Sequence, residues 1–499
     1  MTQLAHRYTG YTVKVPFSFA FWPLQKTVKL PTFEITPEYF RGWVRRLAPP
    51  GTNVPALIER YAGQSFLRNF QPGRKYVVAH RGFQGAYPEG VLPEQCLKGL
   101  NAPYNCGVNT VELDVTFTAA KDRQEIVGHD LIVDRVLPIS GLYSETTYSA
   151  IKKLNFVFKQ VGSDGLGTGD MYESMERPTT TAEFLKEVFF QHDGDVYYDT
   201  RETAAGEKIA SYIQMVATEN NNAIRTKLIE NAVFQVYPHG YAAGGNALRA
   251  DIVRNFGPDA DLEKLVPFID RIKLSVVMPH NGMEMVVDED SKHDPHARYK
   301  AGLTFIDSFH EAGFRVAVHI IPIRGENNWM TEEYKLNERK FVKLFGRDPQ
   351  PRDTTDFAND KILHQLLWRC KGAYPSIPIL AVSRAMTSSI GQTLLYHSYR
   401  DRHASVVDRF ANSEHYFNYE QSIPGSALRR GADIELTDRV AHVLAILAHS
   451  EMRTMPPQEA TSAIFHPFSQ EALQETVRIA SYKKLGSKAF FHSNRIMMN

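Results

Sequence analysis

The sequence predicts an α/β fold of the TIM-type (β/α)8 barrel, and three observations predict it. Short β-branched and apolar runs recur along the chain, helical stretches fall between most of them, and eight such runs are counted between residues 76 and 383. In order they are Tyr76–His80, Thr110–Val115, Glu125–Gly128, Asp195–Thr200, Val233–Tyr237, Ile272–Met278, Arg315–Ile321 and Ile377–Ser383. Helices are expected at Thr181–Phe190, Lys208–Thr218, Leu262–Ile269, Ala301–Ala312 and Lys361–Cys370. Strands alternating with helices in this number favour a closed parallel barrel over an open sheet.

The 499 residues exceed one barrel of about 250 residues. Residues 1–70, with the aromatic and proline-bearing FSFAFWPL, read as an N-terminal arm or cap, and 71–385 as the barrel with insertions. Residues 386–499 read as a helical extension packed on the barrel, with helix-like stretches at Ile390–Tyr396, Thr437–His449 and Gln470–Tyr482. The glycine-rich VGSDGLGTGD at Val161–Asp170 has no strand before it and no clear helix after it, so it reads as a loop rather than a phosphate cradle.

Composition narrows the function classes. Hydrophobic residues at 43% and charged residues at 23% are ordinary for a globular protein, and a net charge of +1 supplies no global field for nucleic acid. Three cysteines without a CxxC spacing argue against a zinc site or a disulfide framework. The N-terminus lacks a signal-peptide pattern, and the best apolar run, Val440–Ala448, is interrupted by His442 and too short to span a bilayer. A cytoplasmic protein is therefore expected; leaderless export would leave no mark.

Chemistry concentrates in four ordered segments: VVAHRG at 77–82, VELDV at 111–115, IVGHD at 126–130 and VYYDTR at 196–201. Each polar group lies at the end of a predicted strand, and barrel strand ends converge on one mouth. Glu112 and Asp114 are two apart on one strand and so point the same way. Two like charges side by side call for a cation or a retained proton, and Asp199 offers a third oxygen ligand. An all-carboxylate set favours a hard ion, Mg²⁺ or Ca²⁺, over zinc. His80 and His129 then suit a general acid and base for phosphodiester cleavage, with Arg81 neutralising the phosphate. His280 and Arg324, near later strand ends, are candidate substrate contacts.

This order of HRG, E-x-D and HD resembles the glycerophosphodiester phosphodiesterase superfamily, which includes the sphingomyelinase-D-like phospholipases. PTTTAEFLKEV at 178–188 resembles the helix that precedes the family's fourth strand. The resemblance implies that His80 and His129 are the acid/base pair, that Glu112, Asp114 and Asp199 are metal ligands, and that Arg81 contacts phosphate. Arg201 stands where the family usually has lysine. The family's Pro-Glu-Asn-Thr has two partial counterparts, PEGV at 88–91 and PEQC at 93–96. Spacing from HRG favours Glu89, spacing to Gly107 favours Glu94, and Glu94 is taken as the further ligand. The implied substrate is a small phosphodiester of glycerol, a sugar or a lysolipid. A neighbouring substrate hydroxyl would give a cyclic phosphate first. The insertions and long C-terminal region also resemble agrocinopine synthases, which form a sugar phosphodiester with the same kind of site. A non-catalytic effector or binding module is the alternative of a different class.

Overall fold

In the computed structural model, eight parallel strands pair edge to edge until the last meets the first, which closes a barrel. They are β1 (Tyr76–Ala79), β2 (Thr110–Phe117), β3 (Asp195–Asp199), β4 (Ala232–Val236), β5 (Lys273–Val277), β6 (Arg315–Ile320), β7 (Ile379–Val382) and β8 (Ile434–Thr437). Closure is read from the register, with Ile434 opposite Tyr76 on one side of β1 and Ala79 opposite Val111 on the other. The structure describes residues 27–320 except 30, 73, 88–89, 130–132, 134–135, 140, 160–170, 238–240, 242 and 278–294, together with 379–382, 432–437 and 440–452.

The expected barrel is thus present, but one of its eight strands comes from a different segment. Glu125–Val127 does not join the ring; it returns antiparallel along β2, pairing Val127 with Val115. Only seven residues separate it from Phe117, with a 3₁₀ turn at Ala120–Asp122 among them, and a parallel crossover needs a dozen or more. The true eighth strand is Ile434–Thr437, so the expected boundary at 385 falls inside the barrel. Its IELT pattern, four residues long and half polar, gives little strand signal. The helix expected at Thr437–His449 is found at Val440–Met452, directly after β8. Those expected at Lys361–Cys370, Ile390–Tyr396 and Gln470–Tyr482, like the Val161–Asp170 loop, lie outside the described residues.

Barrel strands are buried on both faces, which is why they read as apolar runs rather than alternating ones. Outside, the Arg201–Thr218 and Gly245–Asn255 helices pack on β2 to β4 through Ile209, Ile213, Leu248 and Phe234. On the other flank, Pro37–Leu47 packs against Val440–Met452, with Trp43 edge-on to His442. Helix 37–47 starts where Thr36 Oγ accepts from Tyr39 N, and Thr180 with Glu183 forms a reciprocal cap for Thr181–Glu187. Inside, Tyr76, Val78, Tyr197, Val233, Ala317, Ile434 and Leu436 fill the lower layers together with Phe66 from the N-terminal region.

The short helix Phe66–Asn69 closes the N-terminal end of the barrel. Ser65 Oγ donates to Asp195 Oδ2 at 2.5 Å, Asn231 Nδ2 donates to its Oδ1 at 3.0 Å, and Arg68 Nε lies 3.8 Å from Oδ1. Asp195 is fully buried, and loss of solvation outweighs these partners and raises its pKa to about 7. A carboxyl whose folded pKa is raised favours folding most below its unfolded pKa near 4, and that contribution is lost as pH rises through 7. Asp195→Asn, neutral throughout, is expected to gain on the wild type as pH rises, its melting temperature standing several degrees higher relative to wild type at pH 8 than at pH 5. A difference that does not grow with pH in differential scanning fluorimetry would contradict this.

Candidate active site

The inward positions of β2 to β6 alternate by two, and several are polar: Glu112 and Asp114, Asp199, Gln235, Ser275 and His319. Register sets Asp114 beside Asp199, and Asp199 beside Gln235. The result is a cluster in which one ligand oxygen from each of Glu112, Asp114 and Asp199 lies within 4.8 Å of the others. They are 1%, 1% and 6% exposed. Three buried carboxylates this close are unstable without positive charge among them, and their all-oxygen donor set fits a hard divalent cation. Burial, and then the charge of Asp114, raise the Glu112 pKa to about 8.

His80 follows β1 directly. Its N–H donates to Thr437 O on β8 at 3.1 Å, and its Nε2 lies 3.9 Å from Glu112 Oε2. The side chain is 19% exposed, so it borders both the cluster and the mouth. His129 follows Gly128, whose N–H donates to Asp114 O at 3.0 Å, and so stands beside the end of β2. Arg81 adopts a left-handed backbone, φ 56°, and its N–H donates to Glu112 Oε2 at 2.7 Å. Its guanidinium lies 3.2 Å from Asp114 Oδ2 and 3.6 Å from Glu94 Oε2. Arg81 is therefore tied to the acidic cluster itself.

Glu94, expected as a ligand, is buried and faces Arg81 rather than joining the tight triad. Glu89 lies outside the described residues, as do His280, Arg324 and the side chain of Arg201; the Arg201 backbone opens the helix after β3.

Sequence reasoning missed the residue beside Glu94. Gln95 donates through Nε2 to Asp114 Oδ2, and its Oε1 accepts from Asp114 N at 3.1 Å. Its φ is 62°; among the described residues, Arg81 and Gln95 are the two non-glycines with positive φ, and both hold Asp114. Such backbone persists where surrounding contacts impose it. An amide standing where the family pattern has asparagine was the available signal. Gln235 and Tyr237 do the same for Asp199: Gln235 Nε2 donates to Oδ2 at 3.1 Å and Tyr237 Oη at 2.8 Å. A lone glutamine in the apolar run AVFQV was the signal there.

The glycine of HRG is required by close packing. Gly82 has φ +75°, and a Cβ on it would sit 2.4 Å from Gly99 O at the start of helix Leu97–Asn105. Cys96 caps that helix through Sγ, and burial pushes its thiol pKa far up, which leaves it structural and inert.

Residues 80–228 match the family profile of the glycerophosphoryl diester phosphodiesterase family. YhdW of Bacillus subtilis, a protein inferred to be a glycerophosphodiester phosphodiesterase, is 35% identical over 80 residues, 16% of this chain and 30% of YhdW, so the chain spans less than a third of that relative. Among solved structures, a glycerophosphoryl diester phosphodiesterase from Parabacteroides distasonis is similar at 13% identity and TM-score 0.36, over 84% of this chain and 94% of its own. One from Thermotoga maritima has 15% identity and TM-score 0.33, over 76% and 100%. The Oleispira antarctica phosphodiesterase solved with its product sn-glycerol-3-phosphate has 14% identity and TM-score 0.35, over 74% and 96%. The barrel assignment rests on the strand pairings and not on these overlaps.

Two expectations follow from the geometry. Because Glu112 carries its proton at pH 7 and a bound cation requires the carboxylate, binding of Mg²⁺ or Ca²⁺ should release about one proton at pH 7 and almost none at pH 9. Calorimetry in buffers of differing ionisation enthalpy reads this directly; no release at pH 7 would mean that Glu112 is already ionised. Gly82→Ala should lower stability by about 2 kcal/mol or more in denaturant titration, because it meets both backbone strain and a carbonyl.

Proposed function

We propose, from its membership of the glycerophosphodiester phosphodiesterase superfamily through residues 80–228, that the chain cleaves a small phosphodiester of glycerol, a sugar or a lysolipid. The observation that carries this reading is the buried triad of Glu112, Asp114 and Asp199 with His80 at its edge, all at the C-terminal end of a closed parallel barrel. That end is where barrel enzymes place their chemistry.

The triad would hold Mg²⁺ or Ca²⁺, and such an ion supplies charge neutralisation for the non-bridging phosphate oxygens. The chain's own groups do the rest. His80 and His129 transfer protons, one taking a proton from the attacking oxygen and the other giving one to the leaving oxygen. His80 Nε2 lies 3.9 Å from Glu112 Oε2, so the imidazole stands at the edge of the triad. Arg81, positioned by Glu94 and Asp114, presents a guanidinium next to the site of negative charge. Water is the acceptor in this reading. No helix among the described residues is long and apolar enough to cross a membrane.

The test is ³¹P NMR of the protein with glycerophosphodiesters, lysophospholipids and sugar phosphodiesters in Mg²⁺ or Ca²⁺. A phosphomonoester is the expected product, with the rate reduced about 10²- to 10⁴-fold in His80→Ala and in His129→Ala. A new diester or a stable cyclic phosphate, also lost in His80→Ala, would replace hydrolysis by synthesis or by a lyase reaction. Turnover unaffected by His80→Ala would remove the site from the chemistry.

A further inference from the structure

Below the triad, a chain of polar side chains crosses the barrel interior. Tyr197 is fully buried, and its hydroxyl has three partners: Gln235 Oε1 at 2.7 Å, Ser275 Oγ at 2.8 Å and His319 Nδ1 at 2.7 Å. Gln235 connects this hub to Asp199, donating to Oδ2 at 3.1 Å. The same amide nitrogen donates to Tyr237, whose own hydroxyl proton goes to Asp199 Oδ2. Gln235, Ser275 and His319 are 3%, 0% and 1% exposed, so bulk water cannot substitute for any of them.

The direction of every bond in this chain is set from one end. A carboxylate only accepts, so Gln235 must turn its NH₂ toward Asp199, and its oxygen then faces Tyr197. Tyr197 has one proton, and the amide oxygen has none to give, so that proton lies between them. With it committed there, Tyr197 accepts from its other two partners. Ser275 donates through Oγ–H, and His319 donates through Nδ1–H. His319 is therefore linked to Asp199 through two intervening side chains.

We propose that His319, Tyr197 and Gln235 are a positioning relay that fixes Asp199 to receive a divalent cation, with His319 carrying a proton on Nδ1. The inference rests on the reading that the triad holds a cation. Each of the three acts on the site through another residue: Gln235 on Asp199, Tyr197 through Gln235, and His319 through Tyr197. Tyr197 is the step with no substitute: without its hydroxyl, the buried Gln235 Oε1 loses its donor, and the amide that holds Asp199 Oδ2 is no longer fixed at its other end.

The first experiment leaves the protein unaltered. Nitrogen-15 histidine NMR of the full chain, with the His319 signal identified by its loss in His319→Gln, should show a protonated Nδ1. A bare Nδ1 would mean that Tyr197 donates to His319 instead, and that result overturns the relay. The second compares Mn²⁺ affinity by calorimetry in wild type, Tyr197→Phe and Ser275→Ala. Tyr197→Phe should weaken binding tenfold or more, in the range of outer residues that orient metal ligands. Ser275→Ala, which removes a donor to the hub but none on the path to Asp199, should stay within about twofold. Equal losses in both would indicate general loosening of the interior and overturn the relay, as would unchanged affinity in Tyr197→Phe. If the wild type binds no Mn²⁺, the cation reading itself fails, and the protonation state of Nδ1 decides the relay's direction alone.

Discussion

Three carboxylates held within 4.8 Å inside a barrel are the constraint around which the upper half of this molecule is arranged. At an effective dielectric of about 20, two unit charges at that distance repel by about 3–4 kcal/mol, and the triad contains three such pairs. That is a large fraction of a domain's net stability. The chain moderates it in three ways. Burial leaves a proton on Glu112 in the absence of a cation. The Arg81 guanidinium lies beside Asp114. Neutral donors from Arg81 N, Gln95, Gln235 and Tyr237 engage one oxygen of each acid. None of these supplies a positive charge at the centre of the cluster. A divalent ion bound among the three oxygens would supply it.

That demand explains strain that would otherwise look wasteful. Arg81 and Gln95 both adopt left-handed backbone, a conformation costing on the order of 1 kcal/mol or more for a residue with a side chain. The turn through Gly82 presses against Gly99 so closely that no Cβ fits. The gain is that two segments fourteen residues apart, 80–82 and 94–95, face the same aspartate from one side. Barrel closure adds the last fixed point, since the bond from His80 N to Thr437 O can form only once β8 lies against β1. A histidine near the start of the barrel is therefore aligned by a strand more than 350 residues later. Activity and complete closure should be inseparable for that reason.

Much of this was legible in the sequence, for reasons that can be named. Seven of the barrel strands stand out because burial on both faces demands apolar runs, and Glu112 and Asp114 stand out because they interrupt one. Spacing by two placed them on the same face without any structure. The eighth strand was not legible, because IELT is only four residues long and alternates apolar inner with polar outer positions, unlike the apolar runs of its neighbours. Glu125–Val127 reads as a barrel strand because a run of that length looks the same in a hairpin and in a ring. Gln95 and Gln235 do not stand out in the sequence because an amide has no chemistry of its own at a phosphate. Their importance comes from where the neighbouring carboxylates point, and only the fold supplies that.

Asp195 and Asp199 show how environment, not residue type, sets the role of a buried acid. They lie four residues apart on β3 and face the same interior. Asp195 is approached on both oxygens, by Ser65 on one and by Asn231 and Arg68 on the other, and the helix at 66–69 seals it from below. Its preferred state is neutral, and its surroundings call for nothing more. At Asp199, Gln235 and Tyr237 converge on the single oxygen Oδ2, while the other acids of the triad stand within 4.8 Å. Two donors on Oδ2 fix the direction of the Asp199 carboxylate, and the neighbouring Glu112 and Asp114 oxygens make it one of three that a cation would bridge. The lower aspartate, sealed by Ser65, Asn231 and Arg68, is part of the scaffold.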